Sequence, residues 1–185
     1  MTDDLLTRRL PAARPLRARI AALFATYLVV LVWLVVWKLE VPFADDAVLR
    51  RLKLVPFVAG GGYAASEPSE VLLNVLVFVP FGIYLGLLAP GRPWARHLAA
   101  IAGASLAMEA AQYVLAVGSA DVTDVITNTA GGVVGLVLLS ALRRGLGRRT
   151  DAAMARVCLA ATVVVVAACA VFVASPVHYL HRIGV

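Results

Sequence analysis

The chain has 185 residues, 62% of them hydrophobic and 15% charged, with 17 Lys and Arg against 11 Asp and Glu, a formal charge of +6 and a mean hydropathy of +0.89. Its apolar residues fall in runs too long for a soluble core, which excludes an ordinary soluble domain and points to an all-α, polytopic membrane bundle. The basic residues border those runs and form no separate domain with aromatic partners, so nucleic acid is excluded as a partner.

Residues 1–19 form a basic segment carrying Arg8, Arg9, Arg14, Arg17 and Arg19. The apolar run 20–37 that follows is too long for a signal-peptide core. Lys38-Leu39-Glu40 offers no small-residue cleavage site, so the run reads as a retained signal-anchor helix. Four further runs, 71–89, 97–117, 125–142 and 157–174, each approach the roughly 17–25 residues that a spanning helix needs. About five helices therefore occupy 20–175, with a short tail at 176–185.

The connection 38–70 sets Leu49, Leu52, Leu54, Val55 and Phe57 among Arg50, Arg51 and Lys53. That mixture suits an interfacial segment covering the bundle end, with the basic residues available to phosphate. Pro56 opposes a long helix there, and Gly60, Gly61 and Gly62 give a flexible approach to the second helix. In that helix Asn74 sits near the start, Pro80 predicts a kink, and Gly82 and Gly86 make a small-residue pair for close packing.

In the third helix Ser105, Glu109 and Gln112 stand at i, i+4 and i+7 and so share one face. The short connection 118–124 makes helices three and four neighbours and carries Asp121 and Asp124. Asp124, Asn128, Gly131 and Gly135 then share a face of the fourth helix, with Gly132 beside them. The connection 143–156 holds Arg143, Arg144, Arg148, Arg149 and Arg156. The fifth helix is rich in Val and Ala; its Cys158 and Cys169 are separated by about 16 Å of helix rise and cannot pair.

Twelve Lys and Arg fall on the side of the N-terminus and five on the other, counting Arg92 and Arg96 with the first group. The N-terminus is therefore inside and the C-terminus outside. With that orientation Asn74 and Asn128 lie roughly 6 Å, Gln112 roughly 7.5 Å and Glu109 roughly 12 Å below the outer end.

A polar set at that depth serves either interhelical hydrogen bonding or a ligand. For Asn74, Gln112 and Asn128 taken singly, interhelical bonding is the simpler account, and Asp121 fits a helix N-cap. Asp124 fits either role. Glu109 is the functional candidate, because a carboxylate at that depth with no basic neighbour in the membrane calls for a proton or a cation.

The blocks Asn74-Val75-Leu76-Val77-Phe78-Val79-Pro80-Phe81-Gly82, Glu109-Ala110-Ala111-Gln112 and Asp121-Val122-Thr123-Asp124-Val125-Ile126-Thr127-Asn128-Thr129-Ala130-Gly131-Gly132 resemble, in order and spacing, the VanZ-like family of bacterial membrane proteins. The resemblance spans about 49–142. Many members carry an Arg before the first Asp, where this chain has Gly118 and Ser119, and an Asn where this chain has Lys53. The resemblance implies a multi-pass protein of the bacterial cell membrane with an accessory role in resistance to glycopeptides such as teicoplanin.

The first functional expectation is a non-catalytic protein whose outer polar pocket binds an amphiphile, either a lipid-linked precursor or a lipoglycopeptide, with no cofactor. The alternatives are an enzyme in which Glu109, Asp121 and Asp124 hold Mg²⁺ or Mn²⁺ against a lipid pyrophosphate, and a scaffold for another membrane protein. His97, His178 and His181 lie away from the polar set, and no Ser-His-Asp or HExxH arrangement is present.

Overall fold

A computed structural model describes residues 13–37, 51–59, 64–117 and 119–174. The expectations placed on Arg8, Arg9, Lys38, Leu49, Arg50, the glycines 60–62, Gly118, His178, His181 and the tail 176–185 lie outside the described residues. Five helices, each long and apolar enough to cross a membrane, make up nearly all of what is described: α1 (Ala13–Trp37), α2 (Pro68–Leu88), α3 (Trp94–Leu115), α4 (Val122–Leu146) and α5 (Thr150–Ala174).

Each helix begins upstream of the apolar run that marks it, because its first turn is set by capping chemistry that hydropathy does not register. Pro68 opens α2 with its ring-fixed φ after an extended Glu67. Asp121 caps α4, its side chain accepting from the Thr123 N–H at 2.7 Å. The last turn of α3 ends on Ala116 in the left-handed region, where the Val117 N–H reaches back to the Gln112 carbonyl at 3.1 Å.

The tightest seam joins α2 to α4. A Cβ at Gly131 would meet the Val75 carbonyl, one at Gly135 the Val79 carbonyl, and one at Gly82 the Gly132 carbonyl, so these three glycines are consumed by backbone contact between the two helices. Gly86 accommodates the Leu139 side chain and Gly132 the Ile101 side chain of α3. Helix α2 runs unbroken through Pro80, whose neighbours Phe78 and Phe81 are buried.

Helix α1 docks on α2 through aromatic rings: Phe24 meets Phe81 edge-on at 5.4 Å between centroids and Tyr27 meets Tyr84 at 5.5 Å. The Tyr27 hydroxyl donates to the Val77 carbonyl at 2.6 Å, satisfying its polar tip inside the bundle. Helix α5 buries only Thr150, Met154 and Cys158, while Val163, Val164 and Val171 stay open to the bilayer side. Cys158 and Cys169 are both free thiols.

One feature is not helical. Strand β1 (Arg51–Lys53) pairs in parallel with β2 (Ser119–Asp121), with Leu52 opposite Ala120 and Lys53 opposite Asp121. The pairing brings the loop before α2 onto the α3–α4 connection, at the end of the bundle where α2 and α4 begin and α3 stops. At the opposite end, arginines meet the carbonyls that finish α2: Arg17 donates to Leu88 at 3.0 Å and Arg143 to Gly86 at 3.1 Å. Cations there complement the negative end of the helix dipole.

Candidate functional site

The α3 stripe organises the β-sheet end of the bundle. Ser105, Glu109 and Gln112 are all buried, and each engages a different neighbour. The Ser105 hydroxyl accepts from the Asn128 amide of α4 at 2.9 Å. One Glu109 oxygen accepts from the backbone N–H of Asp121 at 2.8 Å. The Gln112 amide donates to the Val35 carbonyl of α1 at 2.9 Å. The 3.6-residue period that places these three in one row therefore aims them at α4, β2 and α1 in turn.

Asn74 and Asp124 form a second tie. The Asn74 amide donates to Asp124 Oδ1 at 2.7 Å, pinning the second turn of α2 to the first turn of α4 just above their glycine seam. Both residues are half-buried, unlike Glu109 and Gln112 at 3% exposure and Asn128 at 0%. All six polar candidates thus gather at one end of the bundle.

Two buried acceptors in this set lack donors among the described residues: Asn128 Oδ1 and Gln112 Oε1. Most buried polar atoms find a partner, and an unmet one costs about 1–3 kcal/mol. Neither residue is paired symmetrically; each spends its amide N–H₂ on a neighbour and keeps its carbonyl unmatched.

The sequence reading of Lys53 requires correction. It was expected beside Arg50 and Arg51 as a residue open to phosphate, but it is only 7% exposed. Its ammonium lies 3.1 Å from Asp121 Oδ2 and donates to the Ser66 hydroxyl at 2.8 Å. The strand pairing is the cause: with Lys53 opposite Asp121 on adjacent strands, the two side chains rise on the same face. A buried ammonium needs such a partner.

Ser66 and Thr123 are further residues that sequence reasoning missed. The Thr123 hydroxyl, fully buried, accepts from the Phe57 N–H at 3.1 Å and from Ser66 at 3.3 Å, while Ser66 N–H returns to the Phe57 carbonyl at 3.3 Å. Phe57 reaches this arrangement with φ of 65°, a conformation that side chains other than glycine rarely adopt. Only the clustering of Thr123 beside the two aspartates hinted at its role.

The three carboxylates do not converge as a metal site. Asp121 has one oxygen on the Thr123 N–H and the other on Lys53, Asp124 is held by Asn74, and Glu109 faces the Asp121 backbone. No group of three or more metal-ligating side chains occurs among the described residues. The arrangement instead offers buried hydrogen-bond acceptors under a loop that the Lys53–Asp121 ion pair fastens.

A family model described as VanZ/LLP1 matches residues 24–143, reaching back into α1 beyond the 49–142 marked by the sequence blocks. Among curated proteins, Protein VanZ of Enterococcus faecium is 39% identical over 118 residues, covering 63% of this chain and 70% of that protein. No solved structure matches. The polar set, the glycine seam and Lys53 all fall inside the matched range.

Proposed function

The chain belongs to the VanZ/LLP1 family, and from that premise we propose that it is a non-catalytic protein of the bacterial cell membrane whose buried polar set binds a lipid-linked or amphiphilic ligand. Its biological setting is resistance to teicoplanin-type glycopeptides or a related step at the cell envelope.

The observation that carries this reading is the pair of unmatched acceptors, Asn128 Oδ1 and Gln112 Oε1, on helices that Glu109 also joins. Acceptors without donors favour an occupant that brings hydroxyl, amide or amine hydrogens, as sugars and peptides do. An amphiphile would keep its acyl chain in the bilayer and present such a headgroup at the depth of these residues. The Lys53–Asp121 pair, which fastens the covering loop, would hold the entrance in register. A carboxylate-bound metal has less support, since Lys53 already neutralises Asp121.

The test is teicoplanin susceptibility of cells producing wild type, Glu109→Gln, Asp124→Asn and Asn128→Ala at membrane abundance matched by immunoblot. Resistance raised by wild type and lost by the variants is the expected result. Equal susceptibility with and without the wild-type protein would refute the resistance role, and full activity of all three variants would make the polar set purely structural.

A further inference from the structure

At the end of the bundle opposite the polar set, a cavity of about 130 Å³ opens between the α2–α3 turn and the last turns of α4. A water needs roughly 10–15 Å³ of such space, so the cavity admits a group of several heavy atoms. Its walls include His97, Arg92, Arg143, Ser140 and Trp94. None of these enters the reading of the opposite end.

Three observations suit the cavity to an anion that brings hydrogen-bond acceptors. First, His97 is 8% exposed, yet its Nε2 has no hydrogen-bond partner among the described residues. Second, Arg143 is only partly committed. Its Nε and one Nη2 N–H go to Asp151 Oδ1 at 3.4 and 3.1 Å, and Nη2 also donates to the Gly86 carbonyl at 3.1 Å. Of the five guanidinium N–H groups, the two on Nη1 are left over. Third, Arg92 stands exposed at the rim with no carboxylate in the cavity wall to meet it. Asp151 faces Arg143 from α5 but offsets only one of the two arginines.

The location supplies the kind of anion. The positive-inside count places this end at the inner leaflet, and Trp94, half-exposed at the start of α3, is the residue type that settles at headgroup level. Basic pockets between spanning helices on that side suit phosphate-bearing headgroups, and a guanidinium presents paired N–H donors to phosphate oxygens. We propose that this cavity binds the phosphodiester headgroup of an anionic inner-leaflet phospholipid, with Arg143 and Arg92 meeting the phosphate oxygens and His97 donating from Nε2.

The experiment is native mass spectrometry of the full chain in detergent, titrated with phosphatidylglycerol or phosphatidylcholine, with inorganic phosphate added in a separate series. Wild type should retain phosphatidylglycerol in preference to phosphatidylcholine, and His97→Leu, Arg143→Gln and Arg92→Gln should each lose that preference. Arg144→Gln, an exposed basic residue away from the cavity wall, should keep it. Because Arg143 also holds Gly86 and Asp151, its variant can misfold; Arg92→Gln, at the rim, carries the test in that case. Absence of any preference in wild type, or equal loss in Arg144→Gln and the cavity variants, would overturn the assignment. Displacement of the lipid by inorganic phosphate at equal concentration would assign the cavity to free phosphate and overturn the lipid as its occupant.

Discussion

Lys53 and Asp121 lie 3.1 Å apart, nitrogen to oxygen, on two three-residue strands separated by all of α2 and α3. The same aspartate caps α4 and donates its backbone N–H to Glu109, so one ion pair links the covering loop, the α4 terminus and the α3 stripe.

Removing one partner of a buried pair leaves the other charge uncompensated, at a cost of about 3–5 kcal/mol. Lys53→Met should therefore destabilise the protein by about 3 kcal/mol, the lower end applying because Asp121 retains 14% exposure. Lys53→Met combined with Asp121→Asn should recover most of that loss. Denaturant unfolding in detergent measures both, and additive losses in the double variant would show that the pair is not coupled.

Gly82→Ala places a methyl against the Gly132 carbonyl, and backbone on both sides gives it nowhere to move. It should prevent the α2–α4 seam from closing and reduce the folded yield sharply. Gly103→Ala and Gly145→Ala meet open space and should stabilise their helices by up to about 1 kcal/mol. Folded yield by size-exclusion chromatography, with unfolding midpoints for the two controls, distinguishes seam from surface.

Much of this was legible in the sequence, for identifiable reasons. Apolar runs mark the helices, and the 3.6-residue spacing of Ser105, Glu109 and Gln112 marks the face they share. Asp121 reads as a cap because a short acidic side chain precedes an apolar run. The β1–β2 pairing was not legible: three residues carry no period, and their partners lie 68 positions away in register. Lys53 was misplaced for that reason, and Ser66 and Thr123 drew no notice. Hydropathy also set every helix start late, since first turns built on Pro68 or Asp121 are polar or capped.

Asn128→Leu should separate function from stability. It removes the unmatched carbonyl together with the amide that meets Ser105, and the freed serine hydroxyl can turn to the carbonyl one helical turn back. With the serine satisfied locally, the apolar replacement leaves no buried polar group unpaired, and such a change is close to neutral. The unfolding midpoint should hold while teicoplanin resistance falls; a collapse of stability would show that the Asn128–Ser105 bond is structural.

The charge asymmetry predicts an N-terminus inside and a C-terminus outside, which direct labelling tests. In a Cys158→Ala, Cys169→Ala background, Ser119→Cys should react with a membrane-impermeant maleimide on intact cells, since Ser119 is exposed in the α3–α4 connection that this orientation puts outside. Arg144→Cys should react only after the cells are broken open. The reverse pattern would invert the bundle and move the polar set to the inner leaflet.

The measurement that bears most directly on the account is equilibrium binding of teicoplanin, and of a bacterial lipid-linked precursor extract, to the purified full chain in lipid nanodiscs. The account predicts saturable binding of at least one of these by wild type, lost in both Glu109→Gln and Asn128→Leu while those variants remain folded. No saturable binding of either probe by wild type, or unchanged binding by both variants, would contradict it.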